Sequence, residues 1–291
     1  MLRKFDSIRG IKKGIIKHVL GTKPRNYAMF LNGLEAFKYL SFSADRGDML
    51  ETFYLAFRLI DDVIDNDLKL PFGYRTSQEY IQSKIDFLST LSWPGDDSEN
   101  LLKHGFNVAE KLGLDVHKET ELILRSLLFD AKRVGSRELF SEAELKEHFY
   151  RLDLEGSIKG ALKVFNDDPG KYELLKHMGQ ASRIYYNLRD FKEDIEKGYV
   201  NIAKEDFERH KITDEDLETI VNSNKIPGNV NNWMREQVKH GLIMIGFHKK
   251  IIRENDFNLL GRLALRYAFQ MPAERYFKSF IKKDRENQRY G

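Results

Sequence analysis

Two short stretches of this 291-residue sequence pair carboxylates at a spacing that can hold a cation. In Asp61-Asp62-Val63-Ile64-Asp65, Asp61 and Asp65 are four residues apart, and Asp190 and Asp194 repeat that spacing in Arg189-Asp190-Phe191-Lys192-Glu193-Asp194. On an α-helix such positions project from one face, about one turn apart. Each pair follows an apolar-aromatic run, Phe53 to Ile60 before the first and Ile184, Tyr185, Tyr186 and Leu188 before the second. These runs predict buried helices, on which paired carboxylates repel and are costly to desolvate. A divalent cation removes that cost, and hard oxygen ligands suit Mg²⁺ bound by one or two carboxylates plus substrate phosphates. Arg58 lies three residues before Asp61, and Arg189 directly precedes Asp190. Guanidinium groups take phosphate oxygens in a bidentate fork, so the chemistry indicated is that of a metal-bridged diphosphate. One acidic pair alone is usually a solvated helix face. Two pairs with the same lead-in and a nearby arginine favour a site.

The elements that carry them are helices. The six prolines (24, 71, 94, 169, 227 and 272) leave long gaps, filled by Leu, Glu, Lys, Arg and Ala, that permit long helices. In 117–134, Leu122, Leu124, Leu127, Leu128 and Ala131 form an apolar stripe between charges. Alternating β-branched runs and Asn-Gly or Asp-Gly hairpin signals between them are missing, so the chain reads as all-α. Expected helices cover 2–20, 28–41, 47–67, 77–91, 98–112, 117–134, 141–166, 170–197, 214–222, 230–253 and 257–283. Ser141 with Glu144 is a capping box, and Thr213 with Asp216 a weaker start signal. No linker-like composition or repeat interrupts the chain, so a single domain over 1–291 is expected.

Composition narrows the chemistry further. Zero cysteine excludes disulfides, thiolate zinc sites, iron–sulfur ligation and cysteine nucleophiles, and fits a reducing compartment. The 48 basic and 45 acidic residues are mixed along the chain, which gives no sign of a nucleic-acid partner. The eight histidines form neither Glu-x-x-His nor His-Asp pairs, which argues against a di-iron or phosphohydrolase centre. No dinucleotide fingerprint follows a strand. Mean hydropathy is −0.53 and no apolar run approaches the roughly 18 residues that span a bilayer. In 2–20, Leu2, Phe5, Ile8, Ile11, Ile15 and Val19 recur at helical steps among basic residues. That amphipathic helix could lie on an anionic membrane or dock on the bundle. The expected location is cytoplasmic, with membrane association through this helix as the open alternative.

The segment Phe53-Tyr-Leu-Ala-Phe-Arg58-Leu-Ile-Asp61-Asp62-Val-Ile-Asp65 resembles the first aspartate-rich motif of the squalene/phytoene synthases. Leu188-Arg189-Asp190-Phe-Lys-Glu193-Asp194 is similar to their second motif, and Tyr150-Arg-Leu-Asp-Leu-Glu-Gly156 to their tyrosine-to-glycine segment. The resemblance covers most of the chain. It implies an all-α class I isoprenoid synthase bundle around a central cavity. It further implies a Mg²⁺-dependent prenyltransferase that ionises a prenyl diphosphate and joins two of them head to head. Asp61, Asp65, Asp190 and Asp194, with Asn187, would hold metal. Tyr150 would act in catalysis beside Asp61 and Asp190. Arg58, Arg189, Arg183, Tyr54, Phe37, Tyr39, Tyr186 and Tyr267 would contact substrate.

The chain departs from the family where the substrate walls should be. Tyr186 stands at the family's asparagine position, with Asn187 one residue later, and Arg183 at its glutamine. Gly198-Tyr-Val-Asn-Ile-Ala203 lacks the family's Arg and Pro. The family also leaves open whether NADPH takes part. Three readings therefore stand side by side: a head-to-head synthase, a related transferase or cyclase using another acceptor, and a non-catalytic scaffold of the same fold. Retention of all four spaced aspartates disfavours the last.

Overall fold

Prolines mark the starts of helices. Pro24 opens one, Pro227 caps another, Pro272 is the second residue of a third, and Pro169 opens a 3₁₀ turn. At Pro24, Pro169 and Pro227 the missing N–H has no helical partner to lose. The computed structural model describes residues 7–22, 24–40, 43–223 and 225–290, without the side chains of 22, 24–30, 40 and 285–290. In chain order the helices are α1 (Ile8–Thr22), α2 (Pro24–Leu40), α3 (Ala44–Ile64), α4 (Ser77–Leu88), α5 (Asp97–Lys111), α6 (His117–Arg133), α7 (Glu142–Phe149) and α8 (Lys159–Val164). They continue as α9 (Lys176–Arg189), α10 (Phe191–Glu196), α11 (Lys204–Arg209), α12 (Asp214–Ser223), α13 (Gly228–Glu254), α14 (Leu259–Ala264) and α15 (Met271–Tyr290). No strand occurs among the described residues, as the all-α expectation required.

The chain forms two compact units, Met1–Lys132 with Lys159–Pro169, and Arg133–Ile158 with Gly170–Gly291. In the first, α3 packs on α5, where the Phe53 ring meets Phe106 edge-on at 5.4 Å. Gly105 permits that approach, because a Cβ there would lie 2.9 Å from the Phe53 ring. The α1 stripe Ile11, Ile15 and Val19 is buried, and Lys12 reaches Asp48 at 2.7 Å and Glu51 at 3.1 Å on α3. The apolar face of 8–22 is therefore docked on its own unit. Leu2, Arg3, Lys4, Phe5 and Asp6 of the expected 2–20 helix lie outside the described residues. In the second unit α9, α13 and α15 enclose a core of Leu188, Phe191, Trp233, Val238, Ile245 and Phe277. Gly241 on α13 lets Phe277 lie directly against the helix backbone.

Several expected helices are interrupted. The 47–67 helix ends at Ile64, with Asp65 as its C-cap and Asn66 in the left-handed region at φ 60°. The capping box Ser141–Glu144 forms, but 141–166 is not one α-helix. Residues Tyr150–Ile158 wind as a π-helix, and Ser157 Oγ donates to the Leu152 carbonyl five residues back. The 170–197 run comprises a 3₁₀ turn, α9, and a break at Asp190 (φ −97°, ψ 6°) before α10. A second π turn, Leu265–Gln270, precedes Pro272, whose nitrogen cannot continue the α-helical ladder. The short α11 was not expected. Thr213 and Asp216 do form their reciprocal hydrogen bonds.

Candidate active site

The first acidic group forms where α3 ends. Asp61 and Asp62 occupy its last turn and Asp65 its C-cap, whose N–H donates to the Asp61 carbonyl at 2.9 Å. A helix C-terminus carries partial negative charge, so carboxylates gathered there raise the local demand for a cation. Arg58, one turn earlier, is engaged with these acids. It donates to Asp61 Oδ2 at 3.0 Å, pairs closely with the buried Asp62, and lies 3.8 Å from Asp67. His18 of α1 stands 3.7 Å from Asp62.

These partners do not neutralise the group. Burial pushes the Asp62 carboxyl up despite its arginine. Asp61 keeps 37% of its side chain open. Desolvation there, then the Asp65 carboxylate, push its pKa up to about 7, against the pull of Arg58. Asp62 and Asp130 add to the same negative field. Asp130 on α6 belongs to no motif, and its only sequence signal is an acid next to Phe129 on an amphipathic helix.

The second acidic group sits at the α9–α10 break. Arg189 forks onto the neighbouring Asp190, with Nε to Oδ1 at 2.7 Å. Its guanidinium lies 5.2 Å from the Tyr185 ring and 4.9 Å from that of Tyr186. Tyr276 donates to the Leu188 carbonyl at 3.0 Å, which ties α15 to this turn. Burial pushes the Tyr186 and Tyr276 phenols up to about 12. Asp194 accepts from Asn201 Nδ2 at 3.0 Å. The expectation of two carboxylates on one unbroken helix is thus corrected. Asp190 is a junction residue, though Asp194 N still donates to its carbonyl at 2.8 Å.

Within this unit a cavity of about 760 Å³ is lined by Tyr150, Asp153, Arg183, Asn187, Asn201 and Trp233 among others. Asn187 lines the cavity. Arg183 grips Asp153 with Nε to Oδ2 at 2.8 Å and NH2 to Oδ1 at 2.6 Å, and stacks 4.3 Å from the Phe149 ring. Tyr150 donates to Glu173, and burial together with this bond holds its phenol well above the usual range. Asp153 and Asn201 escaped the sequence reading because their partners lie 30 and seven residues away.

Other expected contacts are dispersed. Phe37 is core, with its ring 5.2 Å from Phe165, while Tyr39 is 72% exposed. Tyr54 is half-buried on α3, and Tyr267, in the second π turn, is 59% exposed. Among the described residues no three histidine or acidic side chains form a ready-made metal cage.

No protein-family model and no curated protein matches the chain. Solved structures do. A squalene synthase, HpnC, from Alicyclobacillus acidocaldarius superposes with a TM-score of 0.67 at 11% identity, over 95% of each chain. A dehydrosqualene synthase solved with a ligand gives 0.61 at 13% identity, over 96% of this chain and 98% of that one. At such identities the likeness establishes the fold, an all-α squalene synthase-like fold.

Proposed function

We propose that this chain is a Mg²⁺-dependent prenyltransferase. It would ionise a prenyl diphosphate and condense two of them head to head. The reading is carried by the acidic group at the end of α3, where Asp61 is pushed up to about 7 beside Asp65, Asp62 and Asp130. A carboxylate cluster left under-neutralised at a helix C-terminus fits a hard divalent cation. Asp61, Asp65, Asp190 and Asp194, with Asn187, would hold Mg²⁺. Bound there, the metal supplies Lewis-acid stabilisation of the departing diphosphate charge.

The chain's own residues prepare that step. Arg58 and Arg189 hold the carboxylates in place. Glu173 fixes the Tyr150 hydroxyl, and Phe149, Ile184 and Trp233 supply apolar cavity wall that limits water. NADPH would take part where the product is reduced. A second reading, transfer to a more polar acceptor, is favoured by one feature, the Asp153–Arg183 ion pair on the cavity wall.

The test is incubation with C10, C15 and C20 prenyl diphosphates and Mg²⁺, with and without NADPH, followed by diphosphate assay and product mass analysis. A doubled-chain hydrocarbon supports the main reading and a single-chain adduct the second. No diphosphate release from any of them refutes both. Of the described residues, no helix is long and apolar enough to cross a membrane. Peripheral contact would have to use something other than the docked stripe of α1. Comparing liposome co-sedimentation of the full chain with that of the chain lacking residues 1–20 tests it.

A further inference from the structure

Behind Asp194 lies a relay that the proposed reaction does not yet use. Asn201 Nδ2 donates to Asp194 Oδ2 at 3.0 Å, and Arg133 NH2 donates to Asn201 Oδ1 at 2.8 Å and to the Val200 carbonyl at 3.1 Å. Arg133 is only 3% exposed, and its guanidinium lies 5.2 Å from the Phe140 ring and 5.7 Å from that of Tyr199. The chemistry leaves one orientation for the amide. A guanidinium only donates, so it must take the amide oxygen. A carboxylate only accepts, so it must take the amide nitrogen.

The backbone holds Asn201 in register for this. The Gly135 N–H donates to the Lys197 carbonyl at 3.0 Å and the Arg137 N–H to that of Gly198 at 3.2 Å. Gly198 sits at φ +82°, and a Cβ there would lie 2.6 Å from Gly135 Cα. The Tyr199 N–H closes the turn on the Asp194 carbonyl at 2.7 Å. Asn201 also lines the cavity that holds Asn187.

We propose that Asn201, oriented by Arg133, is a positioning residue that fixes the Asp194 carboxylate for cation binding. This rests on the reading that Asp194 is a ligand of the metal–diphosphate group. Outer partners of ligating carboxylates typically contribute 10–100-fold to affinity. Asparagine is suited to the place because it alone offers an acceptor to Arg133 and a donor to Asp194 in one short planar group.

The experiment is calorimetric titration of the full chain with inorganic diphosphate at a series of Mg²⁺ concentrations, alongside thermal unfolding. Wild type is compared with Asp194→Asn, Asn201→Asp and Asn201→Leu. Asn201→Asp keeps the shape and the Arg133 bond but replaces the donor to Asp194 with a second carboxylate that repels it. Both Asn201 variants should weaken Mg²⁺-dependent diphosphate binding about 10–100-fold. A merely structural role would lower the unfolding midpoint and leave Mg²⁺-dependent diphosphate binding by the folded protein as in wild type. If Asp194→Asn weakens binding while Asn201→Asp binds as tightly as wild type or tighter, the positioning role is overturned and the metal site stands. If Asp194→Asn itself binds as wild type does, the site assignment fails and the positioning role with it. Should Asn201→Leu not fold, Asn201→Asp decides alone.

Discussion

His248 makes the stability of the second unit depend on pH in a calculable way. It lies on α13 at 1% exposure, and its Nδ1 has no hydrogen-bond partner. Burial, with smaller contributions from His177 and Lys249, pushes its pKa down from 6.5 to about 4. A depressed folded-state pKa means that the unfolded chain binds the proton more readily. The associated stability is complete above 6.5, falls as pH drops through 6.5 towards 4, and levels off below. The difference between those values corresponds to about 3 kcal/mol in full, of which about 2 kcal/mol is lost by pH 5. Urea denaturation of wild type and His248→Leu at pH 7.5 and pH 5 isolates this contribution, because titrations common to both proteins cancel. The stability of wild type relative to His248→Leu should fall by about 2 kcal/mol between the two pH values. A difference that stays constant would show that the imidazole titrates as a solvated one, and the reasoning from its burial would be refuted.

Three further outcomes follow from the geometry. The raised pKa of Asp61 has the opposite sign: its contribution is intact below 3.8 and is lost as pH rises through about 7. Metal-free protein should therefore lose stability over that window, Mg²⁺ should restore it, and Asp61→Asn should abolish both the loss and diphosphate release. A variant that keeps the Mg²⁺-dependent rise in melting temperature sinks the assignment. Gly198→Ala forces a side chain into φ +82° and against Gly135. It should cost about 1–3 kcal/mol from the backbone alone, and an unchanged urea midpoint would show that the two loops are not docked. Gly241→Ala drives a methyl into the Phe277 ring, for a cost of about 1–3 kcal/mol. Combining it with Phe277→Leu should cost less than the sum of the single changes, and strict additivity in a double-mutant cycle would refute the contact.

What the sequence made legible was local. Helix periodicity, the Ser141–Glu144 box and the four-residue aspartate spacing all depend on neighbours within a turn, and all are present. The misread features depend on distant partners or on packing. Nothing between Pro169 and Gly198 except tertiary context breaks the chain at Asp190. Residues 150–158 have no local code for a π turn. The basic stripe of 8–22 has the pattern of a membrane helix. Only Asp48 and Glu51, roughly forty residues away, show that Lys12 and its apolar neighbours face protein. Asp130, Asp153 and Asn201 were invisible for the same reason.

The two acidic pairs look like repeats in sequence, yet they differ in what surrounds them. Asp190 is forked by Arg189, and Asp194 is held by Asn201, so both carboxylates of the second unit have donors fixed by the fold. In the first unit one arginine serves three acids at the negative end of α3, and Asp61 responds by holding its proton towards neutrality. A pair with its own donors is already oriented and gains little from further positive charge. A crowded, under-neutralised pair gains the most. Identical spacing in the sequence thus conceals different electrostatic surroundings.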